Sequence, residues 1–231
     1  MISVVVPTLN AEAGLAASLT SLVTATVEGL VREVLVVDGG SSDRTLDIAE
    51  QSGATIVRSG PGRGVQLAAG AAAARFPWLL FLHADTVRET GWERDAAAFI
   101  ERVEAGHRPL SAAAFRFALD DLGMKPRVIE AGVSARCALF RLPYGDQGLL
   151  IPRHLYASVG GYRPLPLMED VDLARRLGRK RMIILRARAV TSAIRYRREG
   201  YTRRAARNLA CVSLFYLRVP TSLIARLYRS P

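Results

Sequence analysis

Four short apolar runs separated by amphipathic stretches decide what this chain can fold into. Residues 2–7, 33–37, 55–58 and 78–82 are dense in Val, Ile, Leu and aromatic side chains. Each is followed by a longer segment at helical spacing, at 12–27, 43–51, 65–75 and about 91–104. Leu15, Leu19, Leu22 and Val23 fall on one helical face, as do Trp92, Ala96, Phe99 and Val103. Apolar strands alternating with helices are the mark of successive βαβ units, so the spacing predicts an α/β, Rossmann-related domain whose central sheet is mainly parallel and flanked by helices.

Beyond residue 105 the pattern is less regular. Residues 112–119 alternate as a strand, 125–140 read as a helix, 147–152 as a short strand and 182–189 as a late strand. A helix begins near Met168, and 203–228 form a basic helical region broken near Pro220. The net charge of +11 is concentrated there: residues 1–173 hold 16 basic against 20 acidic residues, and 174–231 hold 16 basic residues against Glu199 alone. Arg203, Arg204, Arg207, Arg218, Arg226 and Arg229 interleave with apolar residues from Leu209 to Leu227, as in an interfacial helix on an anionic membrane. A helix packed on the domain with its arginines outward is the competing reading. Nucleic acid is not expected as a partner, because the aromatics sit among aliphatics rather than on a polar stacking surface.

Cys137 and Cys211 are isolated and read as buried thiols, with no zinc-site spacing and no need for an oxidising compartment. The opening residues read as a strand, so no signal peptide is expected, and the C-terminal apolar stretch falls short of the roughly 20 residues that span a bilayer. A peripheral protein on the cytoplasmic face of the cell membrane, with no transmembrane helix, is the expectation.

In open α/β sheets, ligands bind beyond the carboxyl ends of the strands, and here those positions are polar. Pro7-Thr8-Leu9-Asn10-Ala11-Glu12 follows the first run, and Asp38-Gly39-Gly40-Ser41-Ser42-Asp43-Arg44-Thr45 the second. Gly60-Pro61-Gly62-Arg63-Gly64 follows the third, and His83-Ala84-Asp85-Thr86 the fourth. Each loop also has a structural reading: Asp38-Gly39-Gly40 as a tight turn, Ser42 or Asp43 as a helix cap, the glycines around Arg63 as punctuation. His83 and Asp85 resist it, because an imidazole and a carboxylate at the tip of a buried strand cost desolvation without structural return. Further along, Glu169-Asp170 follows the polar loops around Tyr144-Gly145-Asp146-Gln147-Gly148 and Gly160-Gly161, a setting suited to proton abstraction. Asp172 reads as a helix-dipole partner.

Four blocks in this order, Val5-Val6-Pro7-Thr8-Leu9-Asn10, Val36-Val37-Asp38 through Thr45, Phe81-Leu82-His83-Ala84-Asp85 and Met168-Glu169-Asp170, resemble family 2 glycosyltransferases of the GT-A fold, in particular the small bacterial membrane-associated type. The likeness covers about residues 1–180. It implies a GT-A domain over 1–198, with a nucleotide-sugar half at 1–90 and an acceptor half at 91–198, followed by the basic amphipathic segment 199–231. It also implies that Pro7, Asn10, Glu12, Asp38 and Ala84 line the nucleotide, and that Arg63 contacts the nucleotide or its diphosphate. Asp85 would be the last acid of the family's Asp-x-Asp motif, holding Mg²⁺ or Mn²⁺, and Asp170 the catalytic base with Glu169 beside it. Asp146 and Gln147 are candidates for hydrogen bonding donor-sugar hydroxyls, with turn roles equally open. The departure is His83, which stands where the motif has its first Asp. His83 with Asp85 suits Mn²⁺, whereas Asp85 with donor phosphates and water suits Mg²⁺.

The residue types agree with that chemistry. A departing nucleoside diphosphate must be neutralised by cations, and a carboxylate on the far side of the anomeric carbon can take the acceptor's proton, which predicts inversion. The donor expected is a UDP-sugar ahead of a GDP-sugar. The acceptor expected is lipid-like or membrane-associated, with a carotenoid carboxylate or a polyprenyl-type lipid as candidates. For an acceptor that attacks as a carboxylate or phosphate, Asp170 would orient rather than deprotonate. The alternative is a non-catalytic nucleotide-sugar-binding scaffold docked at the membrane. A dehydrogenase is disfavoured because no Gly-x-Gly-x-x-Gly follows the first strand.

Overall fold

A computed structural model describes residues 1–229; residues 230–231 and the side chain of Arg229, counted above among the C-terminal arginines, lie outside the described residues. In chain order the elements are β1 (Ile2–Thr8), α1 (Glu12–Thr20), α2 (Val23–Val27), β2 (Val31–Asp38), α3 (Thr45–Gln51), β3 (Thr55–Arg58) and α4 (Arg63–Ala73). Then come β4 (Trp78–Phe81), β5 (Thr86–Arg88), α5 (Trp92–Glu104), β6 (Ala112–Asp120), α6 (Met124–Phe140), β7 (Leu149–Pro152) and α7 (Arg153–Ser158). The chain continues with α8 (Glu169–Leu177), β8 (Met182–Ser192), α9 (Ile194–Glu199), α10 (Tyr201–Tyr216) and α11 (Thr221–Arg229).

The strands form one sheet in the order β3-β2-β1-β4-β7-β6-β8-β5. β3, β2, β1 and β4 are parallel, and so are β6 and β8; β7 runs antiparallel between β4 and β6, and β5 antiparallel at the edge of β8. The sheet is therefore mainly parallel and buried on both faces, as its unbroken apolar runs require. Val4 and Val6 of β1 pack with Leu15, Leu22 and Trp92 on one side. Val5 packs with Leu67, Phe81 and Leu173 on the other. Gly70 brings α4 close against that second face: a Cβ there would lie 2.3 Å from Val5 Cγ1.

The helix expected over 12–27 is two helices. The Ser21 hydroxyl bonds back to the Ser18 carbonyl at 2.6 Å, and the Ser21 carbonyl accepts from Trp92 Nε1 at 3.1 Å, which takes it out of the helical ladder. Leu19 and Leu22 still reach the core across the break. The three-residue strand β5 and the short helices α7 and α9 carry too few residues to show a period.

α10 and α11 fold back onto the domain. Cys211 and Ile224, both fully buried, pack on Met168 and Val171 at the start of α8. The arginines are not all outward: Arg204 is buried, donating to Glu199 Oε1 at 2.7 Å and to the Tyr228 hydroxyl. Leu209, Leu217, Leu223 and Leu227 remain exposed. Among the described residues no helix is long and apolar enough to cross a membrane. Cys137 and Cys211 are free, buried thiols, and burial pushes both above the ordinary cysteine value.

Candidate active site

The loops after β1 and β2 are fastened to each other. Asn10, at a left-handed φ of 51°, accepts the Ser42 amide at 2.9 Å, and its own amide donates to Ser41 Oγ at 2.9 Å. Glu12 accepts the Arg44 amide at 3.1 Å, and its amide donates to Asp43 at 3.1 Å. Asp38 accepts from the Gly40 and Ser41 amides at 2.9 and 3.0 Å, from Ser41 Oγ at 2.5 Å and from Thr8 Oγ1 at 3.3 Å. Burial pushes Asp38 up, but these bonds outweigh it and hold the carboxyl below its ordinary value. With both oxygens engaged, Asp38 organises the turn; Pro7, Asn10, Glu12 and Asp38 form the rim beside the cavity described next and do not line it. Gln66, which no sequence pattern singled out, donates to the Thr8 and Val37 carbonyls at 2.6 and 2.8 Å and locks the two strand ends together.

Beside this rim, residues from distant parts of the chain meet. Arg63 opens α4 and pairs with Glu169 at the start of α8, and its Nη2 lies 3.6 Å from Asp170 Oδ2. Its Nη1 lies 3.2 Å from His83 Nε2. Arg63 therefore holds Glu169 and stands beside Asp170, with a third of its side chain exposed. Glu169 is 1% exposed, and burial pushes its carboxyl up against the pull of Arg63. Asp170 Oδ2 accepts the Gly145 amide at 2.7 Å, and a Cβ on Gly145 would stand 2.7 Å from His83 Nε2 and 3.1 Å from that same oxygen. Only a glycine lets this loop close over the pair. Met168, with φ of 68°, turns the chain sharply into α8, whose first two residues are these acids.

His83 is held well below its ordinary value by burial, and then by Arg63, Arg195 and Arg88, so its ring is neutral. Arg63 can only donate, so His83 Nε2 accepts and the ring proton sits on Nδ1, 3.9 Å from Asp85 Oδ1. In that tautomer neither ring nitrogen offers a lone pair to a metal. Asp85 is different: its carboxylate is 39% exposed and faces the cavity with no stronger partner than this contact. Ala84 and Asp85 are set by α1, whose Gly14 has no room for a Cβ, which would lie 2.9 Å from the Ala84 carbonyl oxygen.

His83, Asp85, Asp146, Asp170 and Arg63 line one cavity of about 130 Å³. Its far wall comes from segments the motifs did not flag: Thr191 and Ser192 of β8, Arg195 and Tyr196 of α9, Arg204, Asn208 and Val212 of α10, and Tyr228 of α11. These residues lie up to 145 positions from His83 in the chain, and no local pattern reports such contacts. Arg195 is exposed and has no ion pair among the described residues.

Of the two expected sugar ligands, Gln147 is not at the cavity. It is 1% exposed, donates to the Phe115 carbonyl at 2.8 Å and accepts the Tyr144 amide at 3.3 Å, so it closes its own loop from beneath. Arg88, also buried, supports the same loop by donating to the Gln147 carbonyl at 3.2 Å, and burial lowers its guanidinium to about 9. Asp146 does line the cavity. Its Oδ1 is buried without a hydrogen-bond partner among the described residues, and burial raises its carboxyl to about 6, with Asp170 and Asp85 adding to the rise. Because the folded value lies above the unfolded one, ionising Asp146 costs stability as pH rises through about 6. Asp146→Asn is thus expected to raise the melting temperature at pH 7.5, a gain of about 1–3 kcal/mol that vanishes near pH 4. Thermal denaturation at both pH values checks it.

The curled α/β sheet with this cavity at its strand ends is the GT-A architecture of glycosyltransferases. The fold matches Staphylococcus aureus TarS (residues 1–349) with a TM-score of 0.63 at 17% identity, covering 98% of this chain and 69% of that one. It also matches glucosyl-3-phosphoglycerate synthase from Mycobacterium tuberculosis, TM-score 0.54 at 23% identity, over 83% of this chain and 70% of the other. That enzyme has been crystallised with UDP and Mn²⁺ and with UDP and Mg²⁺. Residues 3–109 match the family model Glycosyl transferase family 2. Through this segment the chain is similar to glycosyltransferase family 2. It is 35% identical over 122 residues to PGL/p-HBAD biosynthesis glycosyltransferases of Mycobacterium bovis and M. tuberculosis, a match covering 47% of this chain and 43% of those proteins. The chain thus aligns with less than half the length of these relatives.

Proposed function

We propose that the chain is an inverting glycosyltransferase that moves a sugar from a nucleoside-diphosphate sugar, a UDP-sugar first, to a lipid-like acceptor. The observation that carries this reading is that Asp85 and Asp170, 85 residues apart in sequence, line the same cavity. One is a free carboxylate suited to the donor's phosphates; the other stands at a helix start behind Gly145. Pro7, Asn10, Glu12, Asp38 and Ala84 shape the rim for the nucleotide, Asp38 by holding the turn. Asp170 takes the acceptor's proton, and Glu169 keeps Arg63 in position beside it. Asp146 accepts hydrogen bonds from the sugar.

The residues fit a divalent cation through Asp85 alone, since His83 has no free lone pair and no group of three metal-binding side chains occurs among the described residues. One carboxylate completed by phosphates and water suits Mg²⁺ or Mn²⁺. Such an ion would neutralise charge on the departing diphosphate. With Arg63 engaged by Glu169, Arg195 is the cation of the cavity wall available to the same leaving group. The apolar patches on Val212 and Leu167 beside it fit a lipid-like acceptor, and the basic C-terminus fits an anionic membrane surface.

A panel of nucleotide sugars offered to the purified protein, with Mg²⁺ or Mn²⁺, tests this by calorimetry and by release of nucleoside diphosphate. Binding of one donor is expected, and Asp85→Ala should raise the metal concentration for half-maximal turnover by more than the roughly tenfold that loss of a mere supporting partner costs. If no nucleotide sugar binds, the transferase reading fails; binding without turnover in the presence of any acceptor would favour a scaffold.

A further inference from the structure

The helix α6 carries apolar residues on both sides. Inward, Pro126 and Cys137 are buried, and Ile129 and Val133 pack on Phe117 and Leu119 of β6. Outward, Met124, Val128, Ala131, Ala135 and Leu139 recur at helical spacing and are all exposed, Met124 by 78%, Val128 by 63% and Leu139 by 61%. Exposed Arg127 flanks that stripe at its N-terminal end. A surface helix ordinarily turns its polar side to water, and here the outward side is apolar along about 25 Å of helix. The neighbouring α10 packs against α6 and repeats the feature, with Ala206, Leu209, Ala210 and Tyr216 exposed.

We propose that the outward faces of α6 and α10 are a docking surface for an anionic lipid bilayer. Paired apolar stripes of this size mark an interaction surface, and the surrounding charge selects the occupant. Residues 122–141 hold Lys125, Arg127, Arg136 and Arg141 against Glu130 alone, and residues 174–231 hold 16 basic residues against one acid. Apolar residues rimmed by cations are the composition of an interfacial helix on anionic lipid. A second copy of the chain seated across a two-fold axis would instead set this cationic region against itself. α10 reaches the cavity, supplying Arg204, Asn208 and Val212 to its lining, and α6 ends at Phe140, four residues before the cavity-lining Tyr144. A bilayer held on these faces would lie beside the cavity mouth, which serves the lipid-like acceptor proposed above and rests on that reading for its purpose.

Flotation of the full chain with vesicles of phosphatidylglycerol and phosphatidylcholine, against vesicles of phosphatidylcholine alone, tests the surface. The protein should float only with the anionic vesicles, and less at 0.5 M salt, roughly as screening demands. Val128→Glu/Leu139→Glu should reduce flotation at least about tenfold, since an apolar contact becomes a buried charge. Its melting temperature and nucleotide-sugar binding in vesicle-free solution should be unchanged, which separates this result from any failure of the transferase reading. Equal flotation of the variant and the unsubstituted protein overturns the proposal. So does a dimer in sedimentation that the double substitution dissociates, which would make a second copy the occupant.

Discussion

Asp170→Asn is expected to lower turnover by about two to four orders of magnitude while leaving donor affinity within about twofold, the range that loss of a general base produces. The substitution is nearly isosteric. Asparagine can keep its oxygen toward the Gly145 amide, now 2.7 Å from Asp170 Oδ2, and the position keeps its place in the first turn of α8. What disappears is the group able to hold the acceptor's proton. Steady-state kinetics with any acceptor that supports turnover of the unsubstituted protein measures the first quantity, and calorimetry with the nucleotide sugar the second. A loss confined to KM would mean that Asp170 only orients the acceptor. Unchanged turnover would remove it from the chemistry and turn attention to Asp146, whose carboxyl at about 6 is already suited to exchange protons near neutral pH.

Which parts of this site the sequence discloses follows from how far each residue acts. The strands and the polar loops behind them depend on neighbours within a few positions, so β3 and the loops carrying Asn10, Asp38, Arg63 and Asp85 were legible to within a few residues. The partner of each side chain was not. Arg63 pairs with a residue 106 positions away, and a glycine-rich loop looks the same whether its arginine meets a phosphate or a carboxylate. Gln147 stands next to Asp146 in a glycine-flanked loop, yet the short helical turn at Gly145–Gln147 sends the two side chains to opposite sides, one into the cavity and one under it. The C-terminal segment showed its amphipathic period correctly, but the period cannot say which apolar residues are covered. Cys211 and Ile224 are covered by α8, while Leu209 and Leu217 face outward.

Arg63 is where an energetic test decides between two roles. If its function were only to meet the donor's diphosphate, Arg63→Met would weaken nucleotide-sugar binding and leave the free protein as stable as before. Its contacts predict the opposite balance. Glu169 is almost fully enclosed, and removing one partner of a buried ion pair costs about 3–5 kcal/mol because the other charge is left without compensation. A third of the Arg63 side chain is exposed, which favours the lower end of that range. In the variant, Glu169 recovers part of the loss by taking up a proton. Burial already raises it, so its folded value lies above its unfolded one, and the stability deficit should shrink as pH falls from 7.5 toward 5. Arg63→Met/Glu169→Gln should regain most of the stability at pH 7.5, because no unpaired charge remains. Its turnover should stay low, since Asp170 has lost the guanidinium 3.6 Å away and the contact that fixes His83. Denaturant titrations of the single and double variants at two pH values measure the coupling, and a double variant no more stable than Arg63→Met would assign the arginine to the donor instead.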